Sequence, residues 1–77
     1  MKPHTKINQI RAKILKKLQK GDKLIMNLYW DIGTTWHNCY YHLTVLQELG
    51  LVKAEKQKGT TIYGLTDDGH KVLQYYE

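Results

Sequence analysis

The stretch TTWHNCYYHLTVLQELGLV, Thr34 to Val52, carries the period that decides the fold. At 100° per residue Trp36, Cys39, Leu43 and Leu46 fall on one side of a helix, the pattern of a helix buried along a stripe. His37, Asn38, Tyr41, Thr44 and Glu48 fall on the other side, which is rich in hydrogen-bonding groups but holds no lysine or arginine. Thr34 or Thr35 suits the N-cap. Gly50 stops the helix because glycine takes the left-handed conformation that closes a helix end, and Leu51 can fold back onto the last turn. Such a helix is expected to be held from behind by the rest of the chain, with its polar face offered to a partner.

Towards the amino end, Ile7, Ile10, Ile14 and Leu18, with Leu15 beside them, make residues 5–20 an amphipathic helix. Thr5 is its expected N-cap, and Lys6, Arg11, Lys13, Lys16, Lys17 and Lys20 cover the remaining surface. The apolar stripe has no aromatic residue, which favours core packing over a membrane-surface helix. After Gly21, Asp22 can cap a second helix reaching about Ile32, with Leu24, Leu28 and Ile32 at i, i+4 and i+8. The alternative is a short extended segment at Leu24 to Met26 and a helix capped by Asn27. Gly33 closes either version, giving helix, glycine turn, helix.

Beyond Gly50 the period changes. LVKAEK and TTIYGL are strand-like segments separated by Gln57, Lys58 and Gly59, a hairpin signal. Leu51 is expected to face the core, Tyr63 and Leu65 to share one side of the returning strand, and Lys53, Lys56 and Lys58 to cluster near the tip. Lysines there also deter edge-to-edge pairing. Thr66 caps a last helix, TDDGHKVLQYY, whose first turn holds Asp67 and Asp68 at the favourable end of the helix dipole. Gly69 inside that turn costs helix stability, so its use is expected to be close packing. Val72, Leu73 and Tyr76 form the apolar side.

A chain of 77 residues has room for one domain, residues 1–77, and one shared core. Its 42% hydrophobic and 25% charged residues are ordinary for a folded protein. No apolar run approaches the roughly 18 residues that span a bilayer, and MKPHTKINQI lacks the apolar core of a signal peptide. A cytoplasmic protein without a membrane partner is expected. The lone Cys39 lies on the apolar stripe and reads as a small buried side chain. Of the net charge of +5, the amino-terminal segment through Lys23 and the wing segment Lys53–Lys58 carry the positive excess. Basic surface of this kind attracts polyanions.

Catalysis is not expected. His37 and Cys39 lie about 200° apart on the helix, and although Cys39 and His42 are about 60° apart, Cys39 points inward with no third ligand evident. Neither a glycine-rich phosphate loop nor a metalloprotease motif occurs, so no metal, cofactor or small-molecule ligand is expected.

In order and spacing, CYYHLTVLQELGLV and YGLTDDG resemble the recognition-helix exit and the wing exit of winged helix-turn-helix transcription regulators of bacterial and archaeal type. Cys39, Leu43, Leu46, Gly50, Leu51 and Val52 carry the first match; Tyr63, Leu65, Thr66 and Gly69 carry the second. The resemblance covers roughly residues 5–77 and is to the small regulators of archaea, their viruses and plasmids. It implies an α+β fold: a three-helix core, a two-stranded β-hairpin wing and a C-terminal helix. It also implies a sequence-specific regulator of double-stranded DNA, with the third helix in the major groove. Thr34, Thr35, His37, Asn38, Tyr41 and Thr44 are then the base-reading candidates, Asn38 foremost because a carboxamide can bond adenine at two points. Lys53, Lys56 and Lys58, with Lys2, Lys6 and Arg11, are the phosphate candidates. Regulators of this class pair through terminal helices, so Tyr75 and Tyr76 suggest a homodimer through the C-terminal helix. The chain departs from the pattern in having no arginine or lysine between Trp30 and Val52. That departure leaves a second reading open, a winged-helix module that binds protein. An A-form RNA groove is too narrow for such a helix.

Overall fold

A computed structural model describes the backbone of residues 5–74 and the side chains of residues 9–74. Lys2, Tyr75 and Tyr76, and the side chains of Thr5, Lys6 and Ile7, lie outside what is described. The elements run α1 (Thr5–Gln19), β1 (Lys23–Leu24), α2 (Ile25–Ile32), α3 (Trp36–Glu48), β2 (Val52–Gln57), β3 (Thr60–Leu65) and α4 (Asp67–Leu73). The helical periods place Ile14, Leu15 and Leu18 of α1, Leu28 of α2, and Cys39, Leu43 and Leu46 of α3 in one core. Val52, Tyr63, Leu65 and Leu73 close it from the sheet and α4. Leu51 is half-buried against this cluster, whereas its neighbour Val52 is the fully buried residue at the strand entrance.

Neither expected cap starts α2. Lys23 and Leu24 pair with Tyr63 and Ile62, which makes the sheet three-stranded in the order β1-β3-β2. The backbone before Ile25 is therefore extended, Leu24 stands at the N-cap position without a side-chain bond, and Asn27 lies within the helix. The cap preferences of Asp22 and Asn27 give way to strand pairing with a partner some forty residues later, which no local signal reports.

Helix α3 begins as its sequence predicts. The Thr35 hydroxyl accepts the Asn38 backbone N–H at 3.1 Å, satisfying one of the otherwise unpaired donors of the first turn. It ends in a paired closure: Leu51 N–H donates to Leu46 O at 2.9 Å and Gly50 N–H to Gln47 O at 3.0 Å. Gly50 sits at φ 78°, a conformation that this closure requires and that side chains disfavour. The hairpin turns at Lys58 and Gly59, both with positive φ, the geometry whose twist matches the flanking strands.

Thr66 ties the exit of α3 to the start of α4. Its hydroxyl donates to Gly50 O at 2.6 Å and accepts from Gly69 N–H at 3.0 Å, while its backbone N–H bonds Leu51 O at 3.1 Å. The close packing expected at Gly69 is present: a Cβ there would meet the Leu51 carbonyl oxygen and the Leu65 side chain.

Trp36 corrects the sequence reading. Expected on the buried stripe, it is 45% exposed and stacks on Tyr40, with ring centroids 5.0 Å apart and planes 5° from parallel. It is the first residue of α3, and the inward side of the helix includes His42, 6% exposed, beside Cys39, Leu43 and Leu46.

Candidate nucleic-acid interface

The outward side of α3 presents His37, Asn38, Tyr41 and Glu48 to solvent. Two threonines before the helix organise its first turn. Thr35 caps the backbone, and Thr34, half-buried, accepts a hydrogen bond from the Asn38 side-chain amide at 3.2 Å. An amide nitrogen has two hydrogens, so Asn38 keeps one donor and its carbonyl oxygen free, the pair that the N7 and N6 groups of adenine require. Thr44 is engaged elsewhere: its hydroxyl donates to Tyr40 O at 2.9 Å. No lysine or arginine lies on α3, so the positive end of its dipole is the permanent favourable field that the helix offers an anion.

The wing divides the lysine candidates. Val52 pairs with Leu65, Ala54 with Tyr63 and Lys56 with Thr61, which puts Lys56 on the hairpin side that carries the buried Val52, Tyr63 and Leu65. Lys53, opposite Gly64, and Glu55, opposite Ile62, belong to the other side. Thr61 and Tyr63 border a 360 Å³ hollow whose facing wall is the Trp36–Tyr40 stack, with Leu24 and Met26 below. Lys56 thus stands on the side of the wing turned to the first turns of α3. Lys58 holds the tip at φ 51°, a left-handed position that costs a lysine about 1–2 kcal/mol relative to glycine.

Arg11 is half-buried and bonds within the molecule. Its Nε–H donates to Nδ1 of His42 at 3.2 Å, joining α1 to the inward side of α3. The helical period sets His42 about 60° from the inward Cys39, but neither its burial nor its bond to a residue thirty-one positions away is part of the sequence reading. Burial, and then the Arg11 charge, hold the imidazole pKa below its ordinary 6.5. A proton on Nδ1 would replace the bond with an N–H facing a guanidinium. As pH falls, the unfolded chain takes up this proton first; the stability carried by the neutral contact is complete above the unfolded pKa and is lost as pH drops below it. Thermal melts between pH 7 and pH 5 should show a falling Tm, and His42→Gln, which keeps an acceptor but cannot titrate, should fall less; parallel curves would refute the contribution.

Cys39 is fully buried, and burial pushes its thiol up to about 11, which makes it an inert packing group. Among the described residues no three metal-ligating side chains converge, and no helix is long and apolar enough to cross a membrane.

No family model and no curated protein sequence matches the chain. Solved structures do. The transcriptional regulator BldR from Sulfolobus solfataricus superposes with TM-score 0.82 at 20% identity, over 87% of this chain and 50% of that one. The homodimeric winged helix-turn-helix DNA-binding domain of a possible ArsR-family regulator from Mycobacterium bovis gives 0.81 at 21%, over 94% and 69%. The fold is a winged helix-turn-helix. A Zalpha domain from Carassius auratus PKZ, solved in complex with Z-DNA, gives 0.74 at 22%, and there the match takes in 79% of this chain and 98% of that one. The winged helix described here thus spans about half the length of BldR and nearly all of the Zalpha domain. In this winged helix α2 and α3 are the helix-turn-helix, and β2–β3 is the wing that the sequence predicts, with β1 added at its inner edge.

Proposed function

We propose that the chain is a sequence-specific double-stranded DNA-binding transcription regulator, cytoplasmic and not an enzyme, in which α3 enters the major groove and the wing holds the phosphate backbone. The observation that carries this reading is the division of labour between two adjacent elements. The outward face of α3 has hydrogen-bonding groups without charge, and the wing beside it has Lys56 on the side turned to α3 and Lys58 at its tip. Base edges are read by hydrogen bonds and apolar contact, whereas affinity comes from phosphates. Thr34, Thr35, His37, Asn38, Tyr41 and Thr44 form the proposed reading surface, Thr34 and Thr35 by fixing the first turn and Thr44 through its methyl group. Lys56 and Lys58 are the proposed phosphate contacts. Names among the structural neighbours, a DNA-binding domain and a domain in complex with Z-DNA, support DNA as the class of partner. The homodimer through the C-terminal helix remains a proposal that rests on Tyr75 and Tyr76.

The uncharged α3 face keeps the protein-binding module as the competing reading. Titration of fluorescent duplex DNA at 50 and 200 mM salt, both of them on the order used to read counterion release, separates the two. Binding that weakens with salt supports the regulator, and no binding at the lower salt contradicts it.

A further inference from the structure

The strongest concentration of charge in the described structure is not at the wing. Lys13, Lys16 and Lys17 of α1 and Lys20 in the turn after it border a 310 Å³ groove closed on the other side by Asp31 and Ile32 of α2. Among the described residues only Lys17 has an ionic partner, Asp31 at 3.8 Å, with both side chains substantially exposed. Four lysines against one carboxylate leave a surplus of three positive charges on this patch.

The groove faces away from the proposed DNA surface. At 100° per residue Lys13, Lys16 and Lys17 project about 120–160° around α1 from Arg11. Arg11 points at α3, because its Nε–H bonds the inward side of that helix at His42. The reading face of α3 is turned further outward still. A duplex lying on α3 and the wing would therefore leave the lysine groove open on the far side of the molecule.

The shape selects among anions. Its lining is mostly apolar and includes the half-buried Ile32, so the lysines contribute chiefly their methylene stems, an arrangement that leaves ammonium groups to the solvent side. A duplex offers a convex, uniformly charged backbone with nothing to place on an apolar lining, and it would press phosphates on Asp31. A peptide can seat one apolar side chain on the lining and direct flanking carboxylates to the solvent side. The volume is at the lower end of the range for small binding sites, roughly 300–1,000 Å³, enough for one or two side chains.

We infer that the α1–α2 groove is a docking site for an acidic, amphipathic peptide segment of a partner protein. The segment places an apolar side chain against Ile32 and its carboxylates on Lys13, Lys16, Lys17 and Lys20. This site is built from other residues than those proposed to bind DNA, so either assignment can fail alone.

The test uses the full chain and a fluorescein-labelled peptide of about fifteen residues alternating glutamate pairs with leucine, followed by anisotropy. Lys13→Gln, Lys16→Gln and Lys20→Gln are combined in one variant, since glutamine keeps the helix propensity and the side-chain length. Expected is salt-sensitive binding to the wild type, weakened by roughly threefold per lysine removed, the scale of an exposed ion pair. Binding should be unchanged in Lys56→Ala/Lys58→Ala. A peptide with glycine in place of leucine should bind more weakly. No binding at low salt, equal binding of the glycine peptide, or loss in the wing variant instead of the α1 variant would each overturn the site. So would sedimentation showing two duplexes per protein with the second lost in the α1 variant, which would make the groove a DNA surface.

Discussion

Gly69→Ala is expected to lower the melting temperature by roughly 10 °C, from a loss of about 2 kcal/mol at 4–8 °C per kcal/mol in a domain of this size. The sign is the informative part. In an exposed helix, glycine to alanine stabilises by about 1 kcal/mol, because alanine has less backbone freedom to lose. Here the added Cβ meets the Leu51 carbonyl oxygen and the Leu65 side chain. The carbonyl cannot rotate away, since it accepts the Thr66 N–H, and Thr66 in turn caps α4 through Gly69 and bonds Gly50. Moving any one of these groups disturbs the closure of α3. Overpacking costs of about 1–3 kcal/mol are usual where neighbours can adjust, and a hydrogen-bonded backbone adjusts least. Circular dichroism melts of the two proteins measure the effect; a variant as stable as the wild type would show that α4 slides on the α3–β2 corner.

The second large effect is expected in DNA binding. Replacing Lys56 and Lys58 by alanine should reduce the slope of log affinity against log salt by about 1.8, at 0.9 per phosphate contact. Carried from 1 M to 0.1 M salt, that slope corresponds to an affinity loss of about 60-fold, and it should fall on every duplex alike because phosphates carry no sequence. Lys53→Ala provides the control. Lys53 pairs with Gly64 on the other side of the hairpin, away from Thr61 and Tyr63, so its removal should leave the slope close to the wild type. If Lys53→Ala flattened the slope as much as the double variant, the wing would be presenting its opposite face, and the proposed arrangement of α3 and wing on one duplex would be wrong.

The parts of this molecule legible in its sequence are those that depend on local period and closure. Ile14, Leu15, Leu18, Leu28, Leu43 and Leu46 fall in the core because a 3.6-residue repeat puts them on inward faces, and Thr35, Gly50 and Thr66 act where cap chemistry places them. Gly69 was legible as a packing glycine because its helix penalty demanded compensation, though its contacts were not. What sequence periodicity does not carry is pairing across distance. The bond from Arg11 to His42 and the ladder from Lys23–Leu24 to Ile62–Tyr63 join residues far apart in the chain. The first joins α1 to α3 through Arg11, and the second overrides two good cap residues.

Trp36 marks a different limit. Its angle on the helix wheel is that of the buried stripe, yet a wheel has no ends, and the first turn of α3 extends past the core. The stack with Tyr40 then becomes part of the wall facing the wing. The same limit applies to the candidate site. Which hydrogen-bonding residues lie outward on α3 follows from the period, but Thr34 fixing the Asn38 amide and Thr44 bonding its own helix are visible only in three dimensions.

If α3 reads bases while the wing supplies affinity, Asn38 is the residue whose loss separates the two most directly. Sites would be selected from a random duplex library with the wild-type chain, and affinities for the selected site and for unrelated duplex then measured with the wild type and Asn38→Ala. Asn38→Ala should weaken the selected site by about 1–3 kcal/mol, the scale of a two-point base contact, relax the preference at an A·T pair, and leave unrelated duplex unchanged. Equal weakening on both duplexes, or selection that yields no preferred sequence, would contradict it.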